Sequence, residues 1–283
     1  LRRDAAGDCI RTMLTWLATE RPHRVFLEFP DLRADSEFYH QLSEVLRNDG
    51  TIHQIVDVAT RAVFRLRHDA ESYLQQISTM RLRRYERRLS EMGAVSFDEY
   101  PAAADAAAWL DEFAALEMSG WKGRSGTAFG SKPSHRAWLL EVGKAAAARG
   151  RLMMLAMRLD GRPIAMKLNI LSDSGGYAFK TAFDEAYSRY SPGTLLELEH
   201  IRRLHANSDI SWMDSLAGPE HSLANRVWRD RTAVVTLLVA NVTFSQTGRM
   251  LRAIREDEIA AEASAVQTTR LKVMAFSLSA AFA

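Results

Sequence analysis

Apolar positions recur along this chain with two periods, and the switches between them mark out the elements. Ile10, Met13, Leu14 and Leu17 line one side of a helix over residues 8–19, and Phe38, Leu42, Val45 and Leu46 repeat that spacing over 38–47. Between them, residues 25–30 predict a short strand ended by Pro30, and 52–66 predict one or two more. A long helix is expected over 71–92, stopped by Gly93, and then a strand over 94–100. Asp105 stands where a helix cap belongs, ahead of a stripe of Trp109, Leu110, Phe113 and Leu116. The next helix, 133–149, is expected to turn Trp138, Leu139 and Val142 inward and to stop at Gly150.

From residue 151 the period falls to two. Residues 151–159 are almost continuously apolar, as in a strand covered on both faces. Asp160-Gly161 is a hairpin signal, after which Ile164, Met166, Leu168 and Ile170 alternate with Ala165, Lys167, Asn169 and Leu171. A second turn within 173–176 leads to a strand from Tyr177. On it Tyr177, Phe179, Thr181 and Phe183 share one face, and Ala178, Lys180, Ala182 and Asp184 the other. Pro192-Gly193 opens a helix carrying Leu195, Leu196, Leu198, Ile201 and Leu204. A strand over 210–216 with Trp212 and Asp214, a short helix over 221–230, an apolar strand over 232–242 and a helical tail over 245–283 complete the order.

If the second turn has two residues, Asn169 lies opposite Lys180 and Lys167 opposite Ala182. Lys167, Asn169, Lys180 and Asp184 then share one sheet face, and a three-residue loop breaks the group. Such a polar face is either a site or a solvated surface.

Composition narrows the classes. The 283 residues, 47% hydrophobic and 25% charged with a net charge of +2, suit a soluble globular protein and give no electrostatic case for a DNA-binding protein. The single cysteine, Cys9, excludes an intrachain disulfide and a cysteine-rich zinc site. His200 and His205 are five apart on a helix, outside the spacing for sharing a metal, so no metal is expected. No apolar run approaches the roughly 20 residues of a membrane span, and a reducing, cytoplasmic location fits best. A start at Leu1 without methionine suggests that the chain begins inside a longer protein.

Two stretches carry candidate chemistry. The strand–turn–helix from Tyr177 to Leu204 puts unpaired helix amides and the positive end of a helix dipole beside a strand, which suits an anion such as phosphate. The loop 119–127 holds Gly120, Gly123 and Gly126 with Lys122, Arg124 and Trp121, a composition that suits a substrate-lining loop. The arginines of 81–88 either contact phosphates or form a solvated helix face.

Gly120-Trp121-Lys122-Gly123 with Gly126-Thr127, then Phe179-Lys180, Phe183-Asp184-Glu185 and Tyr190-Ser191-Pro192-Gly193-Thr194-Leu195-Leu196, resemble the GNAT acyltransferases, in particular the CelD-type branch linked to cellulose biosynthesis. That branch is similar to the Fem-type aminoacyltransferases, which carry two GNAT-like halves. The resemblance covers roughly residues 75–235 and implies an α/β (α+β) fold, a mixed and mostly antiparallel sheet flanked by helices. It divides the chain into residues 1–70, a possible remainder of a first GNAT-like half, the acyltransferase domain 71–242, and the tail 243–283. It implies acetyl-CoA or another acyl-CoA as donor and a small-molecule or saccharide-linked amine as acceptor, with polysaccharide-synthesis proteins as partners. The donor would lie along Arg189, Tyr190, Ser191, Gly193 and Thr194, where Pro192 replaces a customary glycine and removes one amide donor.

Direct transfer without a covalent intermediate is the expected mechanism. Asp184 or Glu185 would take up the amine proton, Lys180 would orient an anionic group, and Tyr187, Tyr190 or His221 would protonate the leaving thiolate. Trp121, Lys122, Lys167, Asn169, Asp214 and His221 are the candidates for substrate binding. The alternatives are an ion pair of purely structural use for Lys180–Asp184, a capping role for His221, an aminoacyl-tRNA donor, and an inert GNAT-like scaffold.

Overall fold

The computed structural model describes residues 5–20, 26–67, 69–77, 80–102, 104–207, 209–240 and 250. The expected tail over 245–283 lies outside these apart from Met250. The chain forms two units, Leu1–Thr60 with Thr232–Ala283, and Arg61–Arg231.

Local signals account for most element boundaries. Helix α1 (Ala6–Glu20) precedes strand β1 (Phe26–Arg33), and Ser36 caps α2 (Glu37–Asn48) by accepting the Tyr39 N–H. Strand β2 (His53–Arg65) is continuous. The helix expected over 71–92 is two helices: α3 (Ala70–Gln75), capped by Asp69, and α4 (Met80–Ser90). After β3 (Val95–Glu99), Asp105 caps α5 (Ala106–Ser119) as expected, and a single turn, α6 (Trp121–Arg124), follows Gly120. Next come α7 (Pro133–Ala147), β4 (Leu152–Leu159), β5 (Arg162–Ser172) and β6 (Gly175–Phe183). Asp160 and Gly161 both take positive φ, 49° and 78°, as a tight hairpin turn requires. A 3-10 helix, Glu185–Tyr190, leads to α8 (Pro192–Ala206), and then β7 (Trp212–Asp214), α9 (Ser222–Val227) and β8 (Asp230–Ala240) follow.

In the first unit β1 pairs antiparallel with β8, and Ile10, Leu14, Leu42, Leu46, Leu237 and Val239 form the core. Pro30 does not end β1. The register slips between Phe29 and Leu32 and Asp31 has φ 57°, so the proline sits in a bulge that needs no ladder donor.

In the second unit the strand order is β2–β7–β6–β5–β4–β3, mixed and mostly antiparallel, with β6 and β7 parallel. Helices cover both faces. Leu110, Phe113 and Leu139 of α5 and α7 meet Met154, Met166 and Leu168, while Leu195, Leu196 and Ile201 of α8 meet Met153, Leu155 and Met157 on the other side. Helix α7 turns Leu139, Gly143 and Ala146 inward. Trp138 and Val142, expected inside, are exposed. Close approach explains this: a Cβ on Gly143 would stand 2.5 Å from Leu110 Cδ1, so this face admits little more than glycine.

The β5–β6 turn has two residues, Asp173 and Ser174, yet the expected pairing fails. Asn169 lies opposite Ala178, because the turn sets Ser172 against Gly175, and Lys167 lies opposite Thr181, because Phe179 is a bulge residue without a partner on β5. Past the bulge every side chain changes side. Lys167 and Asn169 point to α8, whereas Lys180 points to α5, so the four polar groups do not share a face.

Candidate active site

Strands β6 and β7 pair over only three positions, Gly175–Trp212, Gly176–Met213 and Tyr177–Asp214. Beyond them the strands part and a cavity of about 460 Å³ opens. One wall is β6 from Ala178 to Phe183, the opposite wall is the loop Ser215–Ala217 with His221, and the first turn of α8 closes one end. Lys167, Glu197 and Trp228 also line it. The loop wall is fixed from behind. Buried Asp214 accepts the Leu216 N–H at 2.8 Å and pairs with Arg61 at 3.8 Å, and Arg61 donates to the Ala217 carbonyl at 3.2 Å.

At the α8 end, Ser191 adopts a left-handed conformation (φ 52°, ψ 51°) that swings the chain into the helix at Pro192. The N–H groups of Thr194 and Leu195 bond back to the Ser191 carbonyl at 2.9 and 3.1 Å. Arg226 reaches over from α9 to donate to Thr194 Oγ1 at 3.1 Å. The helix dipole and this guanidinium both make the end attractive to anions.

Between the sheet and α8 lies a buried polar network. Lys167 Nζ donates to Glu197 Oε2 at 2.7 Å, and Trp228 Nε1 donates to Glu197 Oε1 at 2.8 Å. His200 Nδ1 is 2.9 Å from the same Oε1, and Asn169 Nδ2 is 3.3 Å from His200 Nε2. A carboxylate at Oε1 fixes the tautomer: the ring donates from Nδ1 and accepts at Nε2. Burial alone would raise the Glu197 carboxyl, but the charge of Lys167 and the hydrogen bonds from His200 and Lys167 hold it well below the usual range. Burial lowers His200, which keeps the imidazole neutral.

A second cluster faces α5. Lys180 and Lys122 stand 2.8 and 3.4 Å from Glu117 Oε1, and Lys122 also donates to the Thr181 carbonyl at 2.8 Å. Burial lowers Lys122 below the ordinary lysine value, with Glu117 opposing the shift. Helix α6 is anchored from outside. Glu185 accepts the Trp121 N–H at 2.6 Å and pairs with Arg124 at 2.7 Å, and these contacts hold its carboxyl low, Arg124 foremost.

Of the sequence candidates, Trp121, Lys122, Lys167, Lys180, Ser191, Gly193, Thr194 and His221 line the cavity. Asp184, Glu185, Tyr187, Arg189, Tyr190, Asn169 and Asp214 do not. Asp184 caps the 3-10 helix through the Ala186 N–H at 3.0 Å and pairs with Arg162 at 2.9 Å rather than with Lys180. Tyr187 packs on the hydrophobic core, and Arg189 lies over the ring of buried Tyr190 at 4.7 Å. His221 does cap α9, accepting the Ala224 N–H at Nδ1 while also facing the cavity. Glu197, Trp228, Arg226 and Glu117 escaped sequence reasoning. The signal for the first was Glu197 and His200, three apart among the apolar residues Leu196, Leu198, Ile201 and Leu204.

The family model described as "Acetyltransferase (GNAT) domain" matches residues 78–221, just over half of the chain. The chain belongs to the GNAT acetyltransferase family. The open pair of parallel strands and the helix beginning at Pro192 both lie inside the matched span of this GNAT chain. A second model, "Branched-chain amino acid transport system / permease component", matches residues 208–283. Within its described part the chain forms β7, α9 and β8, and no helix among the described residues is long and apolar enough to cross a membrane. No curated protein matches.

Solved structures share the fold. The crystal structure of FemX aligns over 83% of this GNAT chain and 77% of its own, with TM-score 0.56 and 8% identity. A conserved protein of unknown function from Bacteroides thetaiotaomicron VPI-5482 aligns over 82% of this chain and 74% of its own, with TM-score 0.53 and 11% identity. Among the described residues no group of three or more His, Cys, Asp or Glu side chains gathers as a metal site requires.

Proposed function

We propose that the chain is an N-acyltransferase moving an acyl group, acetyl in the simplest case, from acyl-CoA to an amine by direct transfer. One observation carries this reading: the cavity where β6 and β7 part ends on the first turn of α8 beside Arg226. Its volume of about 460 Å³ falls within the roughly 300–1,000 Å³ of small-molecule sites. The positive end of the α8 dipole suits the donor's phosphates, and Arg226 offsets the amide missing at Pro192.

In the proposed step a neutral amine nitrogen bonds to the thioester carbon and the C–S bond breaks. His221 accepts at Nδ1, so its neutral ring keeps its proton on Nε2, from which it can hydrogen-bond the leaving thiolate. The thiolate itself takes up the proton shed by the new amide nitrogen and leaves as the thiol. Glu197 suits a floor better than a base, because three side-chain donors already occupy it.

Calorimetry with acetyl-CoA and longer acyl-CoAs tests the reading, followed by thiol release in the presence of amines. Failure of every acyl-CoA to bind ends it and favours an inert GNAT-like module. A second reading, a Fem-type transferase using aminoacyl-tRNA, draws support from the absent Pro192 amide and from the overlay on FemX. Activity that requires charged tRNA would select it. The motifs at 120–127 and 179–196 support the CelD-type branch, with 71–242 as acyltransferase domain and 1–70 as the remainder of a first GNAT-like half. That branch predicts activity on amino sugars of an extracellular polysaccharide.

A further inference from the structure

The cations lining the cavity are not evenly balanced. Lys167 meets Glu197 one to one. Lys122 and Lys180 instead share a single carboxylate oxygen, Glu117 Oε1, at 3.4 and 2.8 Å, while Glu117 Oε2 is taken by the Phe129 N–H at 2.8 Å. Glu117 is buried, with 2% of its surface exposed. The remaining contacts of the two ammoniums are neutral. Lys122 donates to the Thr181 carbonyl, and Lys180 donates to the Thr127 carbonyl at 3.3 Å and lies 4.1 Å from the centre of the Phe129 ring. No second carboxylate among the described residues pairs with either lysine. One positive charge is therefore left over in a wall that is largely shielded from water.

The pair is also held in place before any ligand arrives. The Lys122 carbonyl accepts the N–H groups of Thr127 and Ala128 at 2.9 and 3.1 Å, and Glu185 clamps Trp121 and Arg124 on either side. Trp121 is 54% exposed at the cavity rim. Fixed cations beside an open aromatic face form a preorganised recognition surface.

We infer that the acceptor is an amine carrying a carboxylate, which Lys122 and Lys180 bind while its apolar or ring portion lies on Trp121. The inference rests on the acyltransferase reading of the cavity, in which the α8 end and Arg226 are taken by the donor. The surplus of one charge selects a monoanion over a phosphate dianion.

The test uses the whole chain and acceptors in matched sets: L-amino acids against their amides, and amino sugars bearing a carboxylate, a phosphate or neither. With acetyl-CoA as donor, carboxylate acceptors are expected to show KM values about 10- to 100-fold lower than their neutral partners, the scale of a charge-assisted hydrogen bond. Lys122→Met and Lys180→Met each leave Glu117 one lysine, so the buried carboxylate stays paired. Each is expected to erase most of that preference and leave acetyl-CoA affinity unchanged. Glu117→Gln frees both lysines and should strengthen carboxylate binding, an effect that a purely structural cluster would not produce. Equal KM values for acids and amides, a preference for the phosphate members, or parallel losses for charged and neutral acceptors in the lysine variants would overturn the inference. If no acyl-CoA binds, calorimetry with the acceptors alone still decides. Carboxylate binding that Lys180→Met abolishes supports the site, and no binding removes it.

Discussion

Lys167 on β5 and Glu197 on α8 meet at 2.7 Å with only 5% and 4% of their side chains exposed. This pair joins the sheet to the helix that ends the cavity. Lys167→Met strands a buried carboxylate and is expected to lower stability by about 3–5 kcal/mol, read from urea unfolding midpoints. The double variant Lys167→Met with Glu197→Gln removes the stranded charge and should recover most of that loss. A double variant no more stable than the single one would show that the pair is not the source.

Gly193 sits at the mouth of α8 with room for a Cβ, whose nearest neighbours would be Phe183 Cδ1 at 3.7 Å and Thr181 Cγ2 at 4.0 Å. Anything longer enters the cavity. Gly193→Leu is therefore expected to leave the thermal midpoint within a few degrees and to weaken acetyl-CoA at least about 10-fold by calorimetry, since its branched tip competes for the donor's place. Unchanged donor affinity would move the donor elsewhere.

Glu185 and Asp184 stand off the cavity wall and are engaged by Arg124, Arg162 and backbone N–H groups. Asp184→Asn and Glu185→Gln should accordingly leave the shape of the kcat/KM pH profile unchanged, with Glu185→Gln affecting acceptor KM through Trp121. Because the Glu185 carboxyl is held below its ordinary 4.5, its clamp persists above that value and loosens only as pH falls through the lowered one. Comparing tryptophan fluorescence between the parent and a Trp121→Phe variant over an acid titration would follow this opening.

Burial pushes the Tyr73 hydroxyl up to about 12 from an ordinary 10.0. A raised acid favours the folded state while it keeps its proton. Its contribution is complete below pH 10.0 and disappears as pH climbs towards about 12. Alkaline unfolding over that window should be blunted in Tyr73→Phe, which is also expected to be less stable at pH 7 because the Arg229 N–H loses its 3.0 Å acceptor. Denaturant midpoints at several pH values measure both effects.

Legibility followed how local the cause was. The Asp105 cap, the Asp160-Gly161 turn and the helix opening at Pro192 depend on residues adjacent in sequence, and all three stand as read. What failed depended on contacts made far along the chain. The Phe179 bulge changed which side Lys180 faces relative to Lys167, and nothing in the alternation of β6 announces it. Trp138 stacks on Phe129 at 5.7 Å instead of entering the core, because Gly143 brings α7 too close to Leu110. Just over half of the candidate residues reached the cavity. Those that did not, such as Asp184 and Asp214, are polar groups whose partners lie in neighbouring turns and strands.

The short pairing of β6 with β7 has a consequence for hydrogen exchange. Among the described residues, β6 beyond Tyr177 has β5 along one edge and no paired strand along the other. Amide protons on the open edge exchange with solvent according to what fills the cavity. A ligand whose own amides lie along Ala178–Phe183 would serve as a temporary strand, slowing deuterium uptake there and leaving β4 unaffected. Occupancy can thus be read from the backbone without any assay of turnover.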